Sequence, residues 1–145
     1  AEAFSLSAND LSGHPPRVVS TGLPYLLLPV TAEALGRARQ VNDLQEALDK
    51  LGAAFVYLLD VDGREGRTWD SLGLVEDVAT GSAAGPVAAY LVEYGLAARG
   101  EPFVLHQGRF LDRPSRLDVQ VATDGSVRVG GHVQLLARAE LLTSA

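Results

Sequence analysis

The 145-residue chain is 47% hydrophobic and 21% charged, which suits one globular domain with a sizeable core and excludes a disordered polymer. Twelve basic against eighteen acidic side chains leave a net charge of −6 with no Lys/Arg run to offset it, so nucleic acid is excluded as a partner. The absence of cysteine removes disulfides, thiolate nucleophiles and cysteine metal sites, and His14, His106 and His132 form no short-spaced motif, so no metal is expected.

In chain order, residues 1–12 read as a short helical tail, with Ser7 able to cap 8–11. Pro15-Pro16 punctuates, 17–20 reads as a strand, Thr21-Gly22 as a turn, and 24–30 as a second strand that Pro29 confines to an edge or bulge. Thr31 is positioned to cap a helix over 32–38. Asn42 or Asp43 does the same for 44–51, where Leu44, Ala47, Leu48 and Leu51 share one face and Gly52 ends the helix. The apolar run 53–59 predicts a strand covered on both faces, residues 60–63 a turn, and 67–69 a returning strand. A loop over 70–81 leads into residues 82–96, a helix apolar on almost every side that must be enclosed by other elements. Pro86 is expected in its first turn. Strands are expected at 103–107, 116–122, 127–129 and 132–137, with a hairpin turn at 123–126 and a break at Gly130-Gly131. The sum is an α+β fold, a mostly antiparallel curved sheet rolled around one central apolar helix, as a single domain over 1–145.

No apolar run is long enough to span a membrane and no secretory signal is visible, so no membrane association is expected and the cytoplasm is the expected compartment. The chain has no methionine and opens Ala1-Glu2-Ala3-Phe4, as expected of an excised or processed domain, or of a subunit that has lost its initiator.

The most informative segment is VEDVATGSAAGP, residues 75–86. Thr80-Gly81-Ser82 stands where the enclosed helix begins, so free N–H groups and the positive end of the helix dipole face outward. Two readings fit: Ser82 caps the helix, or the turn is a nest for a carboxylate or phosphate. Glu76 and Asp77 on the entering loop are either dipole complements or site residues. Trp69, Tyr90 and Tyr94 read as core, and His106 and His132 as structural histidines.

Residues 75–95 resemble the E-D-P-A-T-G-S-A signature of the phenazine-biosynthesis (PhzF-like) family, with Val78 in place of the usual proline. The resemblance runs upstream through Val19-Ser20-Thr21-Gly22-Leu23-Pro24-Tyr25. Downstream it takes in His106-Gln107-Gly108, Arg113-Pro114-Ser115 (preceded by Asp112 where glycine is common) and Val129-Gly130-Gly131. It implies one half of a diaminopimelate epimerase-like fold, here the carboxyl-terminal half of a two-domain isomerase. It further implies proton transfer at carbon on a small carboxylic acid, with no metal or organic cofactor. The principal acid/base glutamate belongs to the amino-terminal half, which this chain lacks. By the same resemblance Asp77 and Ser82 take catalytic roles, and Thr80, Gly81, Ser82 and Ala83 hold the substrate carboxylate. The implied partner is an amino-terminal half from the same precursor or a separate chain. A homodimer, with Glu76 supplying the missing base, and a non-catalytic anion-binding homologue are the alternatives.

Overall fold

In the computed structural model, which describes residues 1–140, seven strands form one sheet in chain order. They are β1 (Arg17–Ser20), β2 (Pro24–Pro29), β3 (Phe55–Asp60), β4 (Glu65–Thr68), β5 (Phe103–Gln107), β6 (Ser115–Val121) and β7 (Val127–Gly130). Three helices lie in the crossovers: α1 (Ala32–Arg37) and α2 (Gln45–Leu51) between β2 and β3, and α3 (Gly81–Glu93) between β4 and β5. Those two crossovers join parallel neighbours, while the other four pairings are antiparallel. The expected α+β roll is present, and the last five residues of the expected domain, 141–145, lie outside the described residues.

β1 and β7 are opposite edges of the sheet, yet both pack on α3, as do β2 and β6; the sheet therefore curls around the helix. The sequence of α3 permits this. Ala83, Ala84, Gly85 and Ala88 bring strand backbones close, and Val87, Tyr90 and Leu91 are wholly buried. Burial of Val87 and Leu91 contributes about 1.5–3 kcal/mol each. Pro86 is the sixth helical residue, not a first-turn one, so the Ser82 carbonyl has no helical donor. Gly95, in the left-handed region, ends the helix earlier than its apolar pattern suggests, with the Leu96 N–H reaching back to the Leu91 carbonyl.

The opposite face of the sheet carries a second core, built from Phe4, Val30, Leu35, Leu48, Trp69 and their neighbours. β3 is the shared wall: Tyr57 and Leu59 face α3, and Val56 and Leu58 face α1 and α2. That alternation of two apolar sets accounts for its unbroken hydrophobic run. Pro29 removes no bond to β3: Val30 donates to the Leu59 carbonyl, so by strand alternation the Pro29 nitrogen faces the other side, where β1 has ended opposite Leu27 and Leu11 bridges Val30, with the Ser12 N–H on the Pro29 carbonyl.

Several expectations are corrected. The face expected on α2 is narrower, since Leu48 is buried but Leu51 is 55% exposed at the protein surface. β4 starts at Glu65, ahead of the predicted 67, because the positive φ of Arg64 completes the turn. The strand expected over 132–137 is not formed. Residues 131–140 have no regular structure, with Val133 at 93% and Leu136 at 90% exposure, because no described strand lies beside them to accept a ladder. His106 and His132 are exposed rather than structural, His106 because the inward positions of β5 are Phe103, Leu105 and Gln107. Among the described residues no helix is long and apolar enough to cross a membrane.

Candidate functional site

The loop between β4 and α3 is built in two stages. Residues 70–75 make a tight excursion closed by a bridge between Trp69 and Glu76, with the Asp70 N–H on the Val75 carbonyl and the Asp70 carboxylate accepting from the Leu74 N–H. Its tip exposes Leu72, Leu74 and Val75. The chain then returns to the sheet, where the Asp77 N–H donates to the Thr68 carbonyl at the end of β4.

Glu76 is fixed from below. Both its oxygens accept from Arg67, at 2.7 Å from Nε and 2.7 Å from Nη2, and Arg67 is only 2% exposed. The remaining guanidinium nitrogen donates to the Leu35 and Ala38 carbonyls at the end of α1, and the plane lies against the rings of Trp69 and Phe110. A buried charge so completely paired is structural in function. Glu76 is therefore unavailable as a base.

Asp77 is exposed and turns back on the helix start. Its Oδ2 accepts from Thr80 Oγ1 at 2.8 Å, while Oδ1 has only a long contact, 3.4 Å, with the Ala79 N–H. Thr80 occupies the N-cap position of α3 without capping it, because its hydroxyl is engaged by Asp77 and by Gln107. The Thr80 carbonyl takes the N–H groups of Ala83 and Ala84. Those of Gly81 and Ser82 have no acceptor among the described residues, as expected of the first turn of a helix. Both residues are exposed, and a Cβ added to Gly81 would meet no atom within 4 Å.

Ser82 does not cap the helix either. Its Oγ lies 2.8 Å from Tyr25 Oη. Burial raises the Tyr25 phenol above its ordinary range, an effect the Ser82 hydrogen bond opposes and the Asp77 charge adds to, so the phenol keeps its proton at neutral pH. Two hydroxyl hydrogens serve one hydrogen bond between them, which leaves one for a ligand. Ala83 sits behind this row, buried.

Two grooves meet at this helix start. One, of about 560 Å³, runs past Thr21, Gly22, Leu23, Gly85 and Val127; the other, of about 320 Å³, past Tyr25, Phe55, Trp69, Asp77 and Thr80. Leu23 and Ser82 line both. Of the five residues singled out in the sequence, Asp77, Thr80, Gly81 and Ser82 line the joint crevice and Ala83 backs it. Tyr25 and Gln107 belong to the site as well. A polar residue at an inward position of β5, in step with Phe103 and Leu105, was the available signal for Gln107. Among the described residues no cluster of three or more His, Asp or Glu could hold a metal ion. What the crevice can do chemically is hold a small anion by neutral donors beside a carboxylate whose Oδ1 has only one long contact.

A family model described as phenazine biosynthesis-like protein (PhzC-PhzF) matches residues 1–138. A solved structure of a predicted epimerase from Pseudomonas aeruginosa is 99% identical, superposes with a TM-score of 0.93, and covers 99% of this chain against 51% of its own. An uncharacterized isomerase from Deinococcus radiodurans is 34% identical over 90% of this chain and 47% of its own length. A segment of 56 residues is 46% identical to trans-2,3-dihydro-3-hydroxyanthranilate isomerase of Pseudomonas fluorescens, which is 34% of this chain and 20% of that enzyme. The chain thus spans about half the length of the relatives it matches along most of its own sequence.

Proposed function

The chain belongs to the phenazine biosynthesis-like family, and from that premise we propose that it forms one wall of the active-site cleft of an isomerase that moves a proton on carbon in a small carboxylic acid. The observation that carries this reading is the pair of unpartnered N–H groups at Gly81 and Ser82, open to the crevice beside Asp77. In the proposed complex those two amides and one hydroxyl hydrogen of the Ser82–Tyr25 pair hold the substrate carboxylate. Removing a proton next to that carboxylate pushes negative charge onto its oxygens, which strengthens all three hydrogen bonds as the transition state forms. Asp77, with Oδ1 toward the ligand, passes the proton on or receives it, and a glutamate of a companion half takes it from carbon.

The names of relatives as isomerases and the half-length match support the two-domain reading over a homodimer. In a homodimer Glu76 would have to act as the base, and Arg67 holds it.

The test is deuterium wash-in at carbon, by the complete protein in D₂O, across a panel of small carboxylic acids that includes trans-2,3-dihydro-3-hydroxyanthranilate. At least one acid is expected to gain carbon-bound deuterium. Asp77→Asn is expected to slow that gain by about 10²–10⁴-fold, the usual contribution of a positioned acid/base. Silence across the whole panel overturns the reading.

A further inference from the structure

Gln107 is 1% exposed, and every hydrogen-bonding valence of its side-chain amide is engaged. Oε1 accepts from Tyr57 Oη at 3.2 Å and from the Thr80 N–H at 3.2 Å. Nε2 donates to the Asp77 carbonyl at 2.8 Å and to Thr80 Oγ1 at 2.9 Å. The polarity of this network is fixed. The Thr80 N–H can only donate and the Asp77 carbonyl can only accept, which puts the amide oxygen on the first and the nitrogen on the second. Tyr57, kept protonated because burial, followed by the charge of Glu65, drives its phenol far above its ordinary range, then donates to the amide oxygen. Thr80 Oγ1, accepting from Nε2, must then give its own hydrogen to Asp77 Oδ2. The chain of donors runs one way, Tyr57 to Gln107 to Thr80 to Asp77.

We propose that Gln107 is a positioning residue for the Asp77–Ser82 turn, its amide locked in one orientation so that Asp77 is held through Oδ2 and keeps Oδ1 for the ligand. The same four bonds hold the Thr80 peptide in place, which aims the two N–H groups that follow it. The inference rests on the anion-binding reading for the purpose of the turn, but the orientation of the turn can be read separately.

Gln107→Glu is the incisive variant because it keeps the shape and removes the donors. The groups facing the new carboxyl are Tyr57 on β3 and Asp77 and Thr80 of the turn; Glu65 on β4, held by Arg109, is the register partner of His106 and acts across the sheet, and Tyr25 on β2 lies beyond Tyr57. Burial and the charges of Asp77 and Glu65 all favour its protonated form, so its ionisation falls above the ordinary carboxylate range. Protonated, it still donates once to the turn; ionised, it cannot donate and repels Asp77. In the complete protein, the amide NMR signals of Thr80, Gly81 and Ser82 are expected to move together as the variant is taken from acid to neutral pH. Its affinity for benzoate is expected to fall about tenfold over the same range, the worth of one hydrogen bond to a charged group. Wild type, with a neutral amide at this position, is the reference against which the movement is read. Variant signals and affinity that match wild type at every pH overturn the proposal. Should wild type show no benzoate-dependent shift at Gly81 and Ser82, the carboxylate reading fails, while the pH-linked movement of the variant still decides for or against Gln107. If Gln107→Glu does not fold, Thr80→Val cuts the same chain from the other side. It is expected to speed hydrogen exchange of the Gln107 side-chain amide by about tenfold, and unchanged exchange overturns the proposal.

Discussion

At the level of single residues, adjacent members of the acidic pair are separated by what lies beneath them. Glu76 points down onto a buried guanidinium and Asp77 points out toward the crevice. Glu76→Ala leaves the Arg67 charge buried and half paired, so it is expected to destabilise the fold by about 3–5 kcal/mol, measured by urea denaturation. Gly81 separates stability from binding. A methyl group there meets open space and a helix-favouring residue replaces glycine, so Gly81→Ala is expected to raise stability by up to about 1 kcal/mol. The same methyl projects beside the anion-binding amides, so carboxylate binding measured by calorimetry is expected to weaken in that variant. The sequence made the acids and the Thr-Gly-Ser turn visible as residue types. It did not separate their roles, because Arg67 is of a type that is rarely buried and nothing local to it announces a carboxylate nine residues on.

Among the elements, α3 was the plainest to read, since a helix without a polar face has to be surrounded. Its close packing is concentrated at Gly85, where an added Cβ would run into the Thr21 hydroxyl between β1 and β2. Gly85→Ala is therefore expected to lower the midpoint of thermal unfolding, at about 1–3 kcal/mol for overpacking. In a Thr21→Ala background the sign is expected to reverse, because the clash is gone and the helix propensity of alanine remains. Strands β1, β2, β3, β5 and β6 were legible from their apolar runs and alternation. The parallel neighbours β2–β3 and β4–β5 were not, since pairing direction is decided by which elements the crossovers pack against and leaves no local mark. The segment over 132–137 shows the reverse case: its composition read as a strand, but a strand exists only with a neighbour to share its hydrogen bonds.

For the whole molecule, the crevice has an apolar rim. Leu23, Val75 and Val129 line the two grooves at 38–64% exposure, and Leu72 and Leu74 are exposed on the same loop as Val75. If the companion half closes over this rim, backbone hydrogen exchange across residues 72–75 is expected to be slower in the complete protein than in this chain alone. Equal rates in both would place the companion elsewhere. The overall roll could be anticipated because composition, the enclosed helix and the family resemblance point the same way. The depth of the crevice could not, because it depends on how far the sheet curls.

β3, like its neighbour β2, gives alternate side chains to two separate cores, so damage there cannot stay on one side. A void opened under Leu35 is screened from α3 by a full thickness of sheet, and a void under Leu91 is likewise hidden from α1. Truncating neighbours Tyr57 and Leu58 would loosen both halves of the interior together. The two oily compartments behave as rooms with a common partition, so their melting is coupled through the strands that form it.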